Sequence, residues 1–584
     1  MEPRPAPSAI SRFAKIPRWL HACILFVVVF LAFAPALSFD FITYDDPEFI
    51  VDNPNVNTGL NWANLKWAFA SPGEVNLWNP LTSLSHQLDV SLFGLNPAWH
   101  HAVNLFWHAL AASLLFLICR KLLPSIGWCY FIVLLWAIHP QKIQSVVWIS
   151  ERKAVLSGAL FFASILFFAV WVTRSRRSPT FYLLSLLFFI AAALAKPSVL
   201  PLPLVLFALF ALKPDKIVAS TLASLRQLTP FFIAALVVAA LVIFFRNQGT
   251  LSEVGSSEGP FERFRQGVMS YTFYLTRFAF PVPSQLLFTP PTSQLPFIVS
   301  LLSLGLFLTA VTWFGRQNTL ILLGAFIYTL LWLPISGVIP ISHYFVADRY
   351  SYLPQIGIIL MLVGAAQIVS SYWPQRLVLP LLFSTLVGGH LVLLQMHLPL
   401  WQNSETLFGH EMRVNPRSSL APVHYGEFFR QDDPEKALGY YQMAHQKAPH
   451  EGMPPTKMGL MQLRLKRPDE ALASFLRATR VSHPVPETWT QLLLLQVELK
   501  LYSEAEATVN DGVQSFPNDW PMMMNGANFY LLVKKDPKKA LPLFLKAHEI
   551  KPSEVDSIRA CARCYRVLAD TQAAERFERL LPKQ

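Results

Sequence analysis

The sequence predicts an all-α protein: a polytopic bundle of membrane-spanning helices, followed by a soluble superhelix of helical repeats. Hydrophobic residues make up 53% of the chain and charged residues only 14%, whereas a soluble domain usually carries about 25% charged residues. Apolar runs of about 20 residues, the length that crosses a bilayer, recur until residue 399 and then stop. We therefore predict a membrane domain over 1–399 and a repeat domain over 400–584.

Eleven apolar segments in the first domain are candidate membrane helices. They lie at 20–38, 98–119, 126–140, 154–172, 180–195, 197–212, 230–245, 297–313, 318–334, 353–370 and 377–399. Basic residues before the first segment place the N-terminus in the cytoplasm, and every short loop then predicted inside is basic, as the positive-inside rule requires. An odd number of spans puts the repeats outside, which we expect to be the periplasmic side of a bacterial inner membrane.

Another apolar and aromatic segment, 267–283, carries Arg277 in its middle and runs into a proline-rich stretch. We expect it to be interfacial or re-entrant on the outer side, where a long arginine side chain can reach water. If this segment crossed the membrane, the repeats would be cytoplasmic. The formal charge of +12 is spread over short loops and the repeats. We therefore interpret it as a signal of membrane topology, and we expect no nucleic-acid partner.

The repeats are marked by an alanine in similar helical segments, at Ala437, Ala471, Ala505, Ala540 and Ala574. The spacings are 34, 34, 35 and 34 residues, and a proline closes most units. Ser404 to Pro416 looks like a further, degenerate copy. This period is typical of tetratricopeptide repeats, whose concave surface holds peptides or proteins. A packed helical domain without a ligand is the alternative.

Adjacent carboxylates, Asp45 and Asp46, follow the first apolar segment in a long outer loop over 39–97. A carboxylate that is partly shielded from water can have its basicity tuned by burial and by nearby cations. These residues therefore suit a general base at the membrane surface. A solvated turn is the alternative, since Asp and Pro are ordinary turn residues.

The predicted outer loops also contain basic residues, although the positive-inside rule predicts few there. They are His139, Arg152, Lys196, His343 and Arg349. A substrate phosphate would explain them, because Arg and Lys bind phosphate oxygens through charge-assisted hydrogen bonds. Alternatively, Arg152 and Lys153 extend to water at a helix start, and His139 caps a helix end. A base beside a phosphate pocket is what a transferase with a lipid-linked phosphate donor needs.

Three groups of residues and the repeats together carry a family resemblance. The groups are Tyr44-Asp45-Asp46-Pro47 with Asn53-Pro54; His139-Pro140 with Val147-Trp148-Ile149 and Arg152; and Ala347-Asp348-Arg349-Tyr350-Ser351-Tyr352-Leu353-Pro354. In this order they resemble the transmembrane and tetratricopeptide-repeat containing O-mannosyltransferases and their bacterial relatives. The resemblance covers nearly the whole chain.

This resemblance implies a type C glycosyltransferase fold, and transfer of a sugar, mannose in the family, from a polyprenyl-phosphate donor to a protein hydroxyl outside the cytoplasm. It implies that Asp45 and Asp46 are the catalytic acidic pair, with Asp45 the base. Arg349 and Arg152 become the first candidates to bind the donor phosphate. His139, Lys196 and His343 are further candidates.

We expect no metal cofactor, because Asp45, Asp46 and Glu48 lack further ligands at suitable spacing, and the five cysteines form no zinc framework. Two alternatives remain: a lipid-donor transferase that modifies a cell-envelope glycan or lipid, and a membrane-anchored repeat scaffold without activity. A scaffold, however, would need only one membrane helix as its anchor, and eleven are predicted. A transporter is not indicated, because no charged residue is centred within a predicted span.

Overall fold

The computed structural model describes residues 16–71, 78–174, 178–210, 217–248, 259–281, 285–286, 288, 293–338, 346–372, 378–552 and 554–581. Over these residues the regular structure is helical, with no β-strand and one isolated β-bridge between Glu451 and His483. The all-α prediction is confirmed. The chain divides into two compact units, Met1–Asn415 and Pro416–Gln584.

The described helices of the first unit, in chain order, are α1 Arg18–Phe33, α2 Pro54–Asn57, α3 Trp62–Ala70, α4 Pro80–Phe93, α5 Pro97–Leu122, α6 Ile126–Ala137, α7 Ile143–Val147, α8 Arg152–Thr173, α9 Pro179–Ala195, α10 Leu202–Phe210, α11 Ile217–Gln248, α12 Pro260–Ala279, α13 Leu295–Gly315, α14 Thr319–Trp332, α15 Gln355–Tyr372, α16 Val378–His397 and α17 Ser404–Val414. Short 3-10 turns, including Ile149–Glu151 and Asp348–Ser351, connect several of them. Many helices begin with proline, which has no amide hydrogen to leave unpaired there.

Seven helical stretches of the described chain are long and apolar enough to cross a membrane, judged by length and composition. They are Arg18–Ser38, Pro97–Leu122, Ile149–Thr173, Leu225–Asn247, Leu295–Gly315, Gln355–Tyr372 and Val378–Trp401. Four shorter apolar stretches are Ile126–Ala137, Pro179–Ala195, Pro197–Leu209 and Thr319–Ile335. Together they fall on the eleven predicted apolar segments. How many of them span the bilayer stays a prediction.

The segment around Arg277 is not an irregular or re-entrant turn over its described part, because α12 is a continuous helix from Pro260 to Ala279. Arg277 is buried, and its Nε and Nη2 lie 3.1 and 3.0 Å from the two carboxylate oxygens of Asp348. The expectation that this arginine reaches water was therefore wrong, since its charge is compensated inside the protein. The side of the membrane on which α12 lies stays a prediction.

Helices α14 and α15 pack with their backbones in contact. A Cβ atom placed on Gly324 would lie 2.5 Å from the carbonyl oxygen of Gly357, and one on Gly357 would lie 2.5 Å from the amide nitrogen of Tyr328. Small residues permit this close approach between apolar helices. The contact fixes the start of α15, directly after the segment that carries Arg349.

The second unit contains α18 Leu420–Phe429, α19 Pro434–Lys447, α20 Met453–Arg464, α21 Pro468–Thr479, α22 Pro486–Glu498, α23 Tyr502–Ser515, α24 Trp520–Asn528, α25 Pro537–Ile550, α26 Val555–Val567 and α27 Thr571–Glu578. These form five successive helix pairs. Each repeated alanine is the fourth residue of the second helix in its pair and is at most 1% exposed. The predicted helical repeats are confirmed. The segment from Ser404 forms α17, which belongs to the first unit.

Candidate active site

Asp46 is fully buried and holds the loop after α1 in place. Its Oδ1 accepts hydrogen bonds from the amide of Ser150, at 3.0 Å, and from the Ser150 hydroxyl. Its Oδ2 accepts one from the amide of Ile42, at 2.8 Å. Burial raises the pKa of Asp46 to about 7, although these hydrogen bonds act in the opposite direction. Oδ1 therefore joins the loop to the Ile149–Glu151 turn, and Oδ2 holds the backbone of the loop itself at Ile42.

Asp45 has the left-handed backbone conformation, with φ of 59°, which is unfavourable for most residues and more accessible to Asp and Asn. Its side chain is half-buried. Burial raises the pKa of the Asp45 carboxyl group, while the positive charges of Lys153 and Arg349 oppose that rise. Of the two acidic residues, Asp45 is thus the one that interacts electrostatically with a basic cluster.

The centre of that cluster is Glu151, a buried carboxylate with three cationic partners. Its Oε1 lies 3.2 Å from Lys153 Nζ and 3.3 Å from Arg349 Nε, and its Oε2 lies 3.0 Å from Lys196 Nζ. All four side chains are at most 16% exposed. Charges with so little access to water need compensation. Glu151 and Asp45 together supply fewer negative charges than the three cations supply positive ones, which favours an anion here.

Aromatic rings fix the cations in place. The Arg349 guanidinium lies 5.2 Å from the Trp148 ring centroid and 5.1 Å from that of Tyr350, and Lys153 Nζ lies 5.1 Å from the Phe49 ring. These are cation–π distances.

Lys196 and Arg349 also line a narrow cleft, with a cavity volume of about 20 Å³. Its other walls include apolar side chains such as Leu331, Ile335 and Leu353. A cleft that is cationic at one place and apolar elsewhere suits a ligand with an anionic head and an apolar body.

Arg152 lies apart from this cluster by its contacts, although it follows Glu151 directly. Its guanidinium is buried and bonds to Asp89 Oδ2 at 2.7 Å, Ser85 Oγ at 2.8 Å and the His100 carbonyl at 2.9 Å, and its Nε donates to Asn104. These bonds engage all of its nitrogens and tie α4 and α5 to the start of α8. In this structure Arg152 positions its neighbours, and it does not share their carboxylate.

His139 is also buried away from the cluster. Its Nδ1 lies 3.3 Å from the amide of Gln141 and 3.2 Å from Gln355 Nε2, and its Nε2 lies 3.2 Å from the carbonyl oxygen of Phe278. It caps the Pro140–Lys142 turn, which is the helix-capping alternative that the sequence left open. His343 lies outside the described residues.

Sequence reasoning did not single out Glu151 and Lys153 as site residues. Both stand in the Ser150-Glu151-Arg152-Lys153 run. Successive residues of a helix point in directions about 100° apart, so Arg152 and Lys153 face different surroundings. This helix geometry predicts that only one of the two side chains can face the site. The sequence does not indicate which one does.

No protein-family model matches the chain. Protein O-mannosyl-transferase TMTC1 of Mus musculus is 32% identical over 207 residues, which cover 33% of this chain and 22% of that protein. Protein O-mannosyl-transferase TMTC3 of Homo sapiens is 22% identical over 585 residues, which cover 88% of this chain and 62% of that protein. The chain is similar to protein O-mannosyl-transferases. The resemblance predicted from its motifs is confirmed, and the chain spans less than two thirds of the length of these curated relatives.

Solved structures of other proteins match part of this chain. The crystal structure of YrrB, a TPR protein with an unusual peptide-binding site, covers 30% of this chain and 89% of its own, with 17% identity and a TM-score of 0.25. That of PilW, a type IV pilus biogenesis factor, covers 30% and 80%, with 19% identity and a TM-score of 0.26.

Proposed function

We propose that this protein is a membrane glycosyltransferase of the type C fold, which moves a sugar from a polyprenyl-phosphate donor to Ser or Thr hydroxyls of extracytoplasmic proteins. The observation that carries the proposal is Asp45 beside the cations grouped around Glu151. The names of the curated relatives support a sugar transferase with a protein acceptor. They also favour mannose as the sugar.

In the proposed reaction, Asp45 accepts the proton of the acceptor hydroxyl. The hydroxyl oxygen attacks the anomeric carbon of the sugar, and the bond from that carbon to the donor phosphate oxygen breaks. The phosphate leaves with the electron pair of the broken bond, and its new charge is stabilised by Lys196, Arg349 and Lys153. Attack opposite the leaving phosphate inverts the configuration at the anomeric carbon.

Glu151 holds the three cations at one place before the donor binds, so little reorganisation is needed when charge develops on the phosphate. Asp46 positions Asp45 and does not itself act as the base, because both of its oxygens already accept hydrogen bonds from Ile42 and Ser150. We propose that transfer needs no metal ion, since the cations can supply the positive charge.

We further propose that the reaction takes place on the periplasmic side of a bacterial inner membrane, with the repeats on the same side to present the acceptor. The apolar walls of the cleft beside Lys196 and Arg349 support a lipid-linked donor. The helix pairs of the second unit support a peptide-binding surface, since stacked pairs of this kind form concave surfaces.

The test is transfer by the full chain reconstituted in liposomes with a radiolabelled polyprenyl-phosphate mannose and a Ser/Thr-containing peptide. Label on the peptide hydroxyls with wild-type protein, and none with Asp45→Asn, is the expected result. The control is Asp52→Asn, which removes an exposed carboxylate from the same loop. Label found only on lipid or glycan would mean that the acceptor is an envelope lipid or glycan and not a protein. Full activity of Asp45→Asn would overturn the proposal.

A further inference from the structure

A second group of polar side chains is buried behind the candidate active site, where α4 meets α5. His86 and Asp89 lie three residues apart in α4, hence on one face of that helix, and His100 lies in the first turn of α5. All three residues are at most 3% exposed. One imidazole nitrogen from each histidine and one carboxylate oxygen lie within 4.8 Å of one another.

The tautomer of His100 is set by its surroundings. Its Nε2 lies 3.1 Å from the carbonyl oxygen of Gly94, so Nε2 carries the hydrogen and donates it. In the neutral ring, Nδ1 then presents a lone pair to Asp89 Oδ2 at 3.6 Å. Arg152 supplies a cation to this Asp89 oxygen, but the Nδ1 lone pair of His100 has no hydrogen-bond donor among the described residues. A backbone carbonyl that fixes the far nitrogen of an imidazole is the usual outer partner of a metal-binding histidine.

His86 gives an independent observation. Neither Nδ1 nor Nε2 of this buried ring has a hydrogen-bond partner among the described residues, although buried polar groups are rarely left unpaired. A neutral imidazole with an unpaired nitrogen is the form of histidine that binds metal ions.

Arg152 Nη2 contacts Asp89 Oδ2 at 2.7 Å. A carboxylate has about four lone-pair positions on its two oxygens, so it can accept from the guanidinium and bind a cation at the same time. The arginine then acts as an outer partner that orients the carboxylate.

We propose that His86, Asp89 and His100 bind one divalent metal ion of the zinc class. Two imidazoles and a carboxylate are a common zinc ligand set, which a water molecule can complete to four. The ion would join α4 of the first outer loop to α5. It would also hold Asp89 for Arg152, whose chain neighbours are Glu151 and Lys153. The role is structural, and none of the three ligands belongs to the proposed catalytic cluster.

A second group of possible metal ligands lies in the second unit. His450 Nε2 and His483 Nδ1 lie 3.6 and 3.5 Å from Glu451 Oε1, with side chains 56%, 67% and 42% exposed respectively. This exposed group could also take up zinc from solution. Zinc binding must therefore be assigned to one group or the other by variants.

The experiment measures zinc per chain, by inductively coupled plasma mass spectrometry, in full-length protein purified after growth with zinc and dialysed against a mild chelator. Wild type and His483→Ala should each retain one zinc, and His86→Ala should retain almost none. A wild type without zinc, or His86→Ala with the wild-type content, would overturn the proposal.

Because His86→Ala could fail to fold, X-ray absorption at the zinc edge is recorded on His483→Ala, in which the buried site is unchanged. Two imidazole nitrogens with oxygen ligands are expected. A sulfur-ligand or all-oxygen spectrum would contradict the proposed site even if zinc were present. Neither measurement depends on sugar transfer, so this proposal can fail while the proposed function stands, and the reverse.

Discussion

Asp46 accepts two hydrogen bonds from Ser150, which lies 104 residues later in the chain. This contact joins the loop after α1 to the turn that begins α8, and so brings Asp45 to the side chains around Glu151. The neighbouring carboxylates therefore differ in role. Asp46 is committed to structure, whereas Asp45 remains half-buried beside cations. The first two predictions follow from this difference.

Replacing Asp45 by Asn should abolish most of the transfer activity while leaving the fold intact. Loss of a general base costs about 10²–10⁴-fold in rate. Within the described part of the chain, the Asp45 side chain makes no hydrogen bonds like those of Asp46 to Ile42 and Ser150. The measurement is kcat for mannose transfer alongside the thermal unfolding midpoint. Asp52→Asn serves as the control with both values unchanged. A large drop in the unfolding midpoint of Asp45→Asn would indicate a structural role instead.

The stability of the protein should decrease between about pH 4 and pH 7 because of Asp46. The pKa of Asp46 is about 7 in the folded protein, above the ordinary value of 3.8, so the folded state binds the proton more tightly than the unfolded state. The contribution to stability is full below pH 4 and is lost as the pH rises through 7, by about 4 kcal/mol at most. The difference in unfolding midpoint between wild type and Asp46→Asn, followed against pH, measures it. Parallel curves for the two proteins would contradict the raised pKa.

Features of the fold that depend on local sequence patterns could be predicted, whereas contacts between residues distant in the chain could not. The apolar segments and the alanines Ala437 to Ala574 were identified correctly, because long runs and regular spacing are local properties of a sequence. Glu151 was missed because its importance comes from Lys196 and Arg349, which are distant in the chain. The pairing of Arg277 with Asp348 was missed for the same reason. Arg152 was predicted to bind the donor phosphate ahead of His139 and Lys196, but of these three only Lys196 shares Glu151 with Arg349 in the structure.

Arg152 and Lys153 should respond differently to substitution by Met. In metal-free protein, Arg152→Met leaves Asp89 buried without its cation, which should lower stability by about 3–5 kcal/mol. Lys153→Met should cost less, because Glu151 keeps Lys196 and Arg349. Lys153→Met should instead raise KM for the donor by about 10–100-fold, the value of a charge-assisted hydrogen bond. Unfolding midpoints and donor titrations on both variants test this, and equal effects on KM would assign both side chains to the donor site.

The repeat unit should become more stable when Lys466 is replaced by glycine. Lys466, Lys500, Lys535 and Ala569 all have a positive φ, between 55° and 61°, in the turns inside four of the five helix pairs. Glycine adopts this conformation at lower cost, so Lys466→Gly should gain about 0.5–1 kcal/mol. The matched control is Lys546→Gly within α25, which should lose about 1 kcal/mol. Hydrogen exchange of the repeat helices measures both changes, and destabilisation by Lys466→Gly would refute the argument.

The proposed mechanism requires the repeats and Asp45 to lie on the same side of the membrane. Ser503 is exposed in α23, so a single cysteine there, in a background without other cysteines, should react with an impermeant thiol reagent in intact spheroplasts. Asp52→Cys, in the first outer loop, should also react, and Gln317→Cys, in a predicted inner loop, should react only after permeabilisation. If the cysteine at 503 behaves like that at 317, the repeats are cytoplasmic. In that case α12 crosses the bilayer, and the repeats cannot present an acceptor to Asp45.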